Sequence, residues 1–383
     1  MSQRLKTDWI LFATVLLLAC FGVVMLYSAS SIMAAVNPRF HWSWYFVVRQ
    51  VAFAVPAVAI MMALKATDYR KYNNSAVAFG MIGIALVLLA AVYFVDTAHH
   101  RWLRFFGPFE VQPSELAKPA LVIFLAFFVA WRGRAINNPR HTLFPAALAV
   151  GLVIFAVVVA DLGTAVVLGL TAATVFFVAG LQPRYCAIVA FMALLGVAVF
   201  VYRDPYRLGR VVRFFDPQYR ILTKIDRHGT IRARMEQSLT TRDTNYQLQQ
   251  SKIAIGEGGP VGLGLMNGKQ KLLYLPEAHT DFIYAVVGEE LGLAGSAGVL
   301  LCFGVIFWRG LRAAWRMGDD FGRYLALGAT VVVVSQAFIN MFSVLGMMPT
   351  KGIALPLISY GGSSLVTTLA LLGILMNVAE HVG

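Results

Sequence analysis

Tyr274-Leu-Pro-Glu-Ala-His-Thr-Asp-Phe-Ile-Tyr-Ala-Val-Val-Gly-Glu-Glu290 ends a long polar, glycine-rich segment and begins a hydrophobic helix. Asp281 lies at the boundary between the two, so we expect its carboxylate where water meets membrane. A carboxylate there is hydrated enough to ionise, and the helix behind it fixes its position, which makes Asp281 the candidate chemical centre. Thr and Asp also commonly cap helices, and this stretch alone does not separate catalysis from capping by Thr280 or Asp281.

The composition is typical of a membrane protein. The 383 residues are 59% hydrophobic and 13% charged, with a mean hydropathy of +0.70, and these values lie outside the range of ordinary soluble domains. The net charge of +13 comes from basic residues scattered over loops between apolar runs, which favours a membrane surface or an anionic substrate over nucleic acid. The cysteines have no paired spacing, so neither a disulfide framework nor a zinc site is predicted.

Ten apolar segments approach the roughly 20 residues that a helix needs to cross a bilayer. They lie at 9–28, 45–64, 75–95, 113–131, 143–160, 164–181, 185–202, 282–308, 323–345 and 361–378. The first is longer than the apolar part of a signal peptide and no clear cleavage site follows it, so we expect it to remain as an anchor. The predicted fold is an all-α polytopic membrane protein with about ten transmembrane helices, in which residues 1–383 form one membrane domain.

Loop charge predicts the orientation. Lysine and arginine concentrate in alternate connections, starting with the N-terminal one, and positive residues mark the cytoplasmic side. Both termini are therefore predicted to be cytoplasmic, and the large loop 203–281, between helices 7 and 8, is predicted to be extracytoplasmic. Asp281 then faces the outside of the membrane.

The large loop has three parts. Residues 203–220 mix arginines, among them Arg210 and Arg213, with apolar and aromatic residues, a composition typical of a helix in the headgroup region. Residues 221–244 are polar and have no apolar face. Residues 245–273 contain several glycines, which suggest tight turns where backbone approaches a ligand or other backbone. Taken alone, a glycine-rich connector is the simpler interpretation of this last part.

Ionisable residues open two of the predicted spans. Glu115 and Lys118 are three apart near the start of the fourth span, hence on one face of a helix. Because ionisable groups in a span are costly, both are candidates for function, with a local ion pair as the alternative. Asp161 lies in a very short outer turn and is predicted to cap the sixth helix.

Two adjacent carboxylates lie inside the eighth span. Glu289 and Glu290 need cationic partners or must take up protons. Lys118, Lys351 and Arg101 are on the same predicted side of the membrane and could supply the charge.

The remaining candidates lie in outer loops. Arg101 is either an interfacial anchor or a partner for these carboxylates, and His279 either tunes Asp281 or is an ordinary solvated histidine. The last loop, 348–364, contains two prolines and several glycines, and irregular backbone at membrane depth is tolerated only where protein buries it or where it lines a cavity. We therefore predict a substrate-facing re-entrant loop.

These pieces resemble the SEDS family (shape, elongation, division and sporulation: RodA, FtsW and SpoVE). The matching motifs occur in family order: Arg101-Trp102, Gln112-Pro-Ser-Glu-Leu-Ala-Lys118, Asp161-Leu-Gly-Thr164, Tyr246-Gln247 with Gln250-Ser251, Leu275-Pro-Glu-Ala-His-Thr-Asp-Phe282, Glu289-Glu-Leu-Gly292 and Ser359-Tyr-Gly-Gly-Ser363. Pro349-Thr-Lys-Gly352 makes the last loop more similar to the FtsW and SpoVE branches than to RodA. Residues 219–244 are longer than the family's usual link, and we expect them to contact a partner.

The resemblance implies a peptidoglycan glycosyltransferase of the bacterial inner membrane that polymerises lipid II into β-1,4 glycan strands. Its implied partners are a class B penicillin-binding protein and other division or elongation proteins. Asp281 would act as general base on the acceptor hydroxyl. Cations would stabilise the departing pyrophosphate, and any Mg²⁺ would be held largely by substrate phosphates. The substrate-binding residues predicted from the motifs and the loop charges are Arg101, Glu115, Lys118, Asp161, Arg210, Arg213, His279, Lys351 and Ser359.

Two other functions stay open. A lipid II flippase would also use ten spans, intramembrane charges and a broken final loop, but its site would lie near the membrane midplane rather than at the outer edge. A catalytically silent scaffold for division partners would use the basic segment 219–244 as its docking surface.

Overall fold

The computed structural model describes residues 7–38, 40–96, 101–106, 109–216, 220, 226, 233, 235, 244–272, 274–349 and 352–382. Within these ranges the main helices are α1 (Trp9–Val36), α2 (Tyr45–Ala66), α3 (Ser75–Val95), α4 (Pro113–Arg132), α5 (Phe144–Ala160), α6 (Leu162–Val178), α7 (Pro183–Arg203), α8 (Pro205–Phe215), α9 (Thr244–Gly258), α10 (Ile283–Arg316), α11 (Asp320–Val344) and α12 (Gly362–Glu380). Short helical turns lie at Tyr69–Tyr72, Gly133–Ala135 and Pro139–Leu143. Strands β1 (Leu103–Phe106) and β2 (Phe109–Val111) pair antiparallel before α4.

The helical membrane fold predicted from hydropathy is confirmed, with the short β1–β2 pair as an addition that the sequence did not indicate. In the described part of the chain, 9 helices are long and apolar enough to cross a membrane. Leu162–Val178, the predicted sixth span, has 17 residues and falls just short of that length. The count of ten spans and the boundaries 203–281 of the outer loop therefore stay predictions.

The start of α1 and the end of α12 lie at the same end of the helical bundle. Asp8, just before α1, pairs with Arg309 near the end of α10 at 2.6 Å. Lys65, at the end of α2, pairs with Glu380 at the end of α12 at 2.8 Å, and the Thr7 hydroxyl donates to the same carboxylate. Asp281, which precedes α10, is therefore at the opposite end of the bundle from Asp8 and Glu380.

Helices α4, α11 and α12 form the centre of the bundle, and most of their residues are buried. α12 packs along α2, and α11 lies against α4, α6 and α10. α7 is peripheral, since its described side chains are exposed or half-buried, Val201 apart. Its apolar surface is the kind that bilayer lipid covers.

The segment before α10 is more helical than the sequence indicated. α8 carries its arginines and apolar residues on different faces, as predicted for a helix in the headgroup region. The interpretation of residues 245–273 as a connector is wrong for its first half, because Thr244–Gly258 forms α9, which packs on α10. Most of the polar segment 221–244 lies outside the described residues.

α10 is broken one third of the way along. Gly292 has a φ of 64°, a left-handed conformation that glycine adopts without strain. The two residues that follow lose their helical acceptors, and their N–H groups donate elsewhere. Leu293 donates to the carbonyl of Gly259 at 2.9 Å, and Ala294 donates to that of Pro260 at 3.2 Å.

Residues 259–272, which we call the inserted segment, also donate hydrogen bonds to α10 just before the break. The backbone N–H of Leu263 donates to the carbonyl of Glu289 at 3.0 Å, and that of Gly264 donates to Glu290 at 2.9 Å. Irregular backbone in a membrane protein must find such partners within the protein. The close approach of backbone to backbone predicted from the glycines is confirmed here.

Candidate active site

A cavity of about 400 Å³ lies where several helices meet at the Asp281 end of the bundle. It is lined by the ends of α5, α6 and α7 that lie on this side, by α8 and α9, by the stretch before α10 and by the last loop. Four of the predicted site residues line the cavity: Arg101, Asp161, Arg210 and Asp281. Three polar residues that were not predicted as site residues line it as well: Arg207, Gln247 and Glu277.

Asp281 is set in the cavity wall just ahead of α10. The N-cap position belongs to Phe282 and no described side chain makes a capping bond there, so the capping interpretation of Asp281 is wrong. Asp281 is half-buried and lines the cavity. Desolvation raises the pKa of Asp281 to about 7, against the opposing influence of the Arg101 charge. A carboxyl with this pKa changes protonation state near neutral pH, as a proton acceptor at that pH needs to.

The last loop holds Asp281 from the side. Asn340 of α11 donates to the carbonyl of Asp281 at 2.8 Å and to that of Ile353 at 2.7 Å, which ties the two loops together. A Cβ added to Gly352 would lie 2.7 Å from Oδ2 of Asp281. Only a glycine at position 352 therefore leaves the carboxylate where it is.

Asp161 serves both the fold and the cavity. Its Oδ1 accepts the N–H groups of Gly163 and Thr164 at 2.9 and 3.2 Å, so the predicted capping of the sixth helix is confirmed. Its Oδ2 lies 3.8 Å from the guanidinium of Arg101. Asp96 accepts the backbone N–H of Arg101 at 3.1 Å, so both ends of this arginine are held beside the cavity.

His279 and Ser359 lie beside the Asp281 loop but do not line the cavity. The His279 ring packs on Phe46, with centroids 4.6 Å apart, and burial lowers its pKa. The Ser359 hydroxyl donates to the carbonyl of Thr280 at 2.5 Å and accepts the N–H of Leu355 at 2.8 Å. Both residues support the loop that carries Asp281.

Glu115 and Lys118 belong to a separate buried network. Lys118 Nζ contacts both Glu115 carboxylate oxygens at 2.7 Å, and it donates to Gln336 Oε1 at 2.6 Å. Thr367 donates to Glu115 at 3.1 Å, and the Gln336 amide reaches the carbonyl of Ala354 at 2.9 Å. The shared helix face predicted for Glu115 and Lys118 is confirmed, and neither residue lines the cavity.

Glu290 has a partner that the sequence did not indicate. Its carboxylate pairs with Lys271 at 2.6 Å, so the prediction that Lys118 or Arg101 neutralises it is wrong, and Lys118 is already held by Glu115. Lys351, the third candidate, lies outside the described residues. Arg213 is in α8 and is not among the residues lining the cavity.

The cavity residues missed in the sequence carried weak signals. Arg207 precedes Arg210 by three residues, so the two share a face of α8. Gln247 belongs to a motif quoted above, and Glu277 lies four residues before Asp281 in the same stretch. No group of three or more His, Cys, Asp or Glu residues suited to a metal ion occurs within the described ranges. A Mg²⁺ held by substrate phosphates stays a prediction.

Comparison with known proteins agrees with the motifs. The FtsW/RodA/SpoVE family, described as cell cycle proteins, matches residues 8–383. A probable peptidoglycan glycosyltransferase FtsW from Geobacter metallireducens is 38% identical over 385 residues, covering 98% of this chain and 95% of the relative. Stage V sporulation protein E from Bacillus subtilis is 34% identical and covers 99% of each chain.

Solved structures share the fold over the whole length. A chain from a peptidoglycan synthase complex that coordinates polymerization and crosslinking has a TM-score of 0.75 and 28% identity, covering 99% of each chain. A mutant of the rod shape determining protein RodA from Thermus thermophilus has a TM-score of 0.65 and 26% identity, covering 98% of each chain. The resemblance predicted from the motifs is confirmed, and the chain belongs to the FtsW/RodA/SpoVE family of cell cycle proteins.

Proposed function

We propose that this multi-pass membrane protein is a peptidoglycan glycosyltransferase that polymerises lipid II into β-1,4 glycan strands. The observation that carries the proposal is the composition of the cavity. Asp281, with a pKa raised to about 7, shares it with the three arginines Arg101, Arg207 and Arg210. A base that titrates near neutral pH and a group of cations suit a reaction that removes a hydroxyl proton and releases pyrophosphate.

Asp281 is the general base in this mechanism. Its carboxylate accepts the proton of the GlcNAc 4-hydroxyl while that oxygen attacks the anomeric carbon of the donor MurNAc. The bond from this carbon to the polyprenyl pyrophosphate breaks on the opposite face, which converts an α-linkage to β. Gly352 and Asn340 hold Asp281 against the cavity, which limits the geometries from which it can take the proton.

The arginines face the charge that develops on the leaving group. Arg207 and Arg210 project from α8, and Arg101 comes from the loop before β1. A guanidinium binds phosphate oxygens in a two-pronged geometry, which orients the pyrophosphate as well as neutralising it. Mg²⁺, if bound to the pyrophosphate, would supply further positive charge there. Lys118 is 1% exposed and paired with Glu115, so we assign it to the support of the last loop rather than to substrate.

The proposed setting is the bacterial inner membrane, with both termini in the cytoplasm and the cavity outside. The charges near the termini, at the opposite end of the bundle from Asp281, support this orientation. A class B penicillin-binding protein that cross-links the product is the proposed partner, alongside other division or elongation proteins.

Labelled lipid II in vesicles tests the function directly. The purified protein is reconstituted alone and with its cognate class B partner, and glycan chains are separated by length. Polymer is the expected product. Movement of lipid II across the vesicle membrane without polymer would instead make the protein a flippase, and neither activity, with the partner still bound, would make it a scaffold.

The pH dependence of kcat/KM tests the role of Asp281. Ionised Asp281 is the active form, so the rate will fall by about tenfold per pH unit below a midpoint near 7. The positive charge of Arg101 lowers the pKa of Asp281 and the negative charge of Glu277 raises it. Arg101→Gln will therefore move the midpoint to higher pH, and Glu277→Gln will move it to lower pH.

The matched control for this measurement is Arg323→Gln, at the opposite end of the protein, where Arg323 pairs with Asp320. Its midpoint will equal that of the wild type. Shifts of Arg101→Gln and Glu277→Gln in the same direction would show that another group controls the acid limb.

A further inference from the structure

The inserted segment is held by side chains as well as by backbone. Oε1 of Glu290 lies 2.6 Å from Lys271 Nζ, and the same carboxylate accepts the hydroxyl of Ser28 in α1 at 2.6 Å and the N–H of Met266 at 3.2 Å. Glu290 is 0% exposed and Lys271 is 3% exposed. Burying an ion pair this completely is costly unless its remaining bonds are satisfied, and here two groups besides the lysine, the Ser28 hydroxyl and the Met266 N–H, donate to the carboxylate.

Glu289 binds the same segment through its side chain, at residues 269 and 270. Its Oε1 accepts the backbone N–H groups of Lys269 and Gln270 at 2.5 and 3.0 Å. The backbone carbonyls of Glu289 and Glu290 accept from Leu263 and Gly264. Each of the two glutamates therefore binds the inserted segment through both its backbone and its side chain. None of these groups lines the cavity.

Both glutamates end a short rigid element that begins at Asp281. Residues 283–291 form the first part of α10, between Asp281 and the break at Gly292. Helix of this length is stiff, so a rotation or shift of its Glu289–Glu290 end moves Asp281 at the other end. The break at Gly292 separates residues 283–291 from the longer remainder of α10. The orientation of residues 283–291 therefore depends on their contacts with the inserted segment.

The inserted segment also fixes the facing wall of the cavity. It continues directly from α9, which carries Gln247 into the cavity. A Cβ at Gly258, the last residue of α9, would overlap the carbonyl oxygen of Gly288, so the two helices touch backbone to backbone. Ser251 of α9 donates to the carbonyl of Val344 at 2.7 Å. The walls that carry Gln247 and Asp281 therefore meet at the inserted segment.

We propose that Lys271, Glu289 and Glu290 are positioning residues that fix Asp281 relative to the cavity wall that carries Gln247. They do so by clamping the inserted segment to α10 just before its break at Gly292. They touch no substrate. The expected loss of kcat rests on the proposed function, whereas the effect on the position of Asp281 does not.

Lys271→Met is the variant that tests it, because methionine keeps much of the length of the side chain without its charge. Releasing the clamp lets Asp281 move, and displacements of about 1 Å cost up to about 100-fold in rate. We expect kcat to fall by about 10- to 100-fold with KM for lipid II nearly unchanged. The paired variant Lys271→Met/Glu290→Gln leaves no unpaired buried charge, and it will recover part of the loss.

A second readout does not need catalysis. A water-soluble carbodiimide modifies protonated carboxyls, and mass spectrometry gives its rate at Asp281 as a function of pH. Displacement towards water removes part of the desolvation that raises the pKa of Asp281, so the midpoint of labelling in Lys271→Met will fall below that of the wild type. Lys269→Met is the matched control, since Lys269 is exposed and neighbours Lys271, and its midpoint will not move.

Two results would overturn the proposal. One is an unchanged labelling midpoint in Lys271→Met. The other is a loss of kcat that disappears when rates are normalised to folded, partner-bound protein, since a merely stabilising pair behaves that way. Absence of polymer from the wild type would contradict the proposed function instead, and the labelling experiment would still decide the role of Lys271.

Discussion

Asp281→Asn will lower the rate of glycan polymerisation by about 10²–10⁴-fold, the range that a positioned general base contributes. Asparagine has nearly the shape of aspartate but does not accept the proton of an attacking hydroxyl. The bond from Asn340 goes to the backbone carbonyl of residue 281, so the substitution leaves it in place. Initial rates of chain formation from labelled lipid II, in the presence of the class B partner, measure the effect.

The stability of this variant separates loss of chemistry from loss of fold. Burial raises the pKa of Asp281, so above pH 7 the ionised carboxylate is less favourable in the folded protein than in the unfolded chain. At pH 8 the Tm of Asp281→Asn will therefore equal or exceed that of the wild type. Asp320→Asn, at an exposed helix start, is the matched control and will retain full activity. Polymer formation by Asp281→Asn at the wild-type rate would show that the base is another residue.

Lys118→Met will destabilise the folded protein by about 3–5 kcal/mol, the usual cost of leaving a buried charge without its partner. Lys118 is 1% exposed and Glu115 is 5% exposed, so water does not replace the lost ammonium. Gln336 loses a bond as well, and its amide is the link to the carbonyl of Ala354 in the last loop. Thermal unfolding in detergent, followed by tryptophan fluorescence, gives the change in Tm.

The double variant Lys118→Met/Glu115→Gln separates charge from packing. A glutamine at position 115 still accepts the Thr367 hydroxyl and carries no charge, so most of the lost stability will return. A double variant no more stable than Lys118→Met would mean that the lysine acts through its packing. In that case the ion pair would contribute little.

The membrane fold could be predicted from sequence because its signal is local. Runs of about 20 apolar residues specify spanning helices without reference to the rest of the chain. The shared helix face of Glu115 and Lys118 and the cap made by Asp161 are equally local, since each depends on a spacing of two or three residues. All three were correct for that reason.

The parts that could not be predicted depend on tertiary contacts. Lys271 and Glu290 are brought together by the path of the inserted segment, which no periodicity encodes. α9 was missed because Thr244–Gly258 is polar, without an apolar stripe, and contains glycine; it is stabilised by packing on α10 and α11. Arg207 lines the cavity because of where α8 lies in the fold, and the sequence of α8 alone does not specify that position.

The break at Gly292 bears on how the protein is made. Unpaired backbone groups in hydrocarbon cost several kcal/mol each, so the break is stable only once residues 259–264 lie against it. Those residues are synthesised before α10, and their partners are therefore already translated when α10 enters the membrane. Because synthesis starts at the N-terminus, residues 259–264 are available when α10 forms. This order allows α10 to fold as a broken helix rather than as a continuous one.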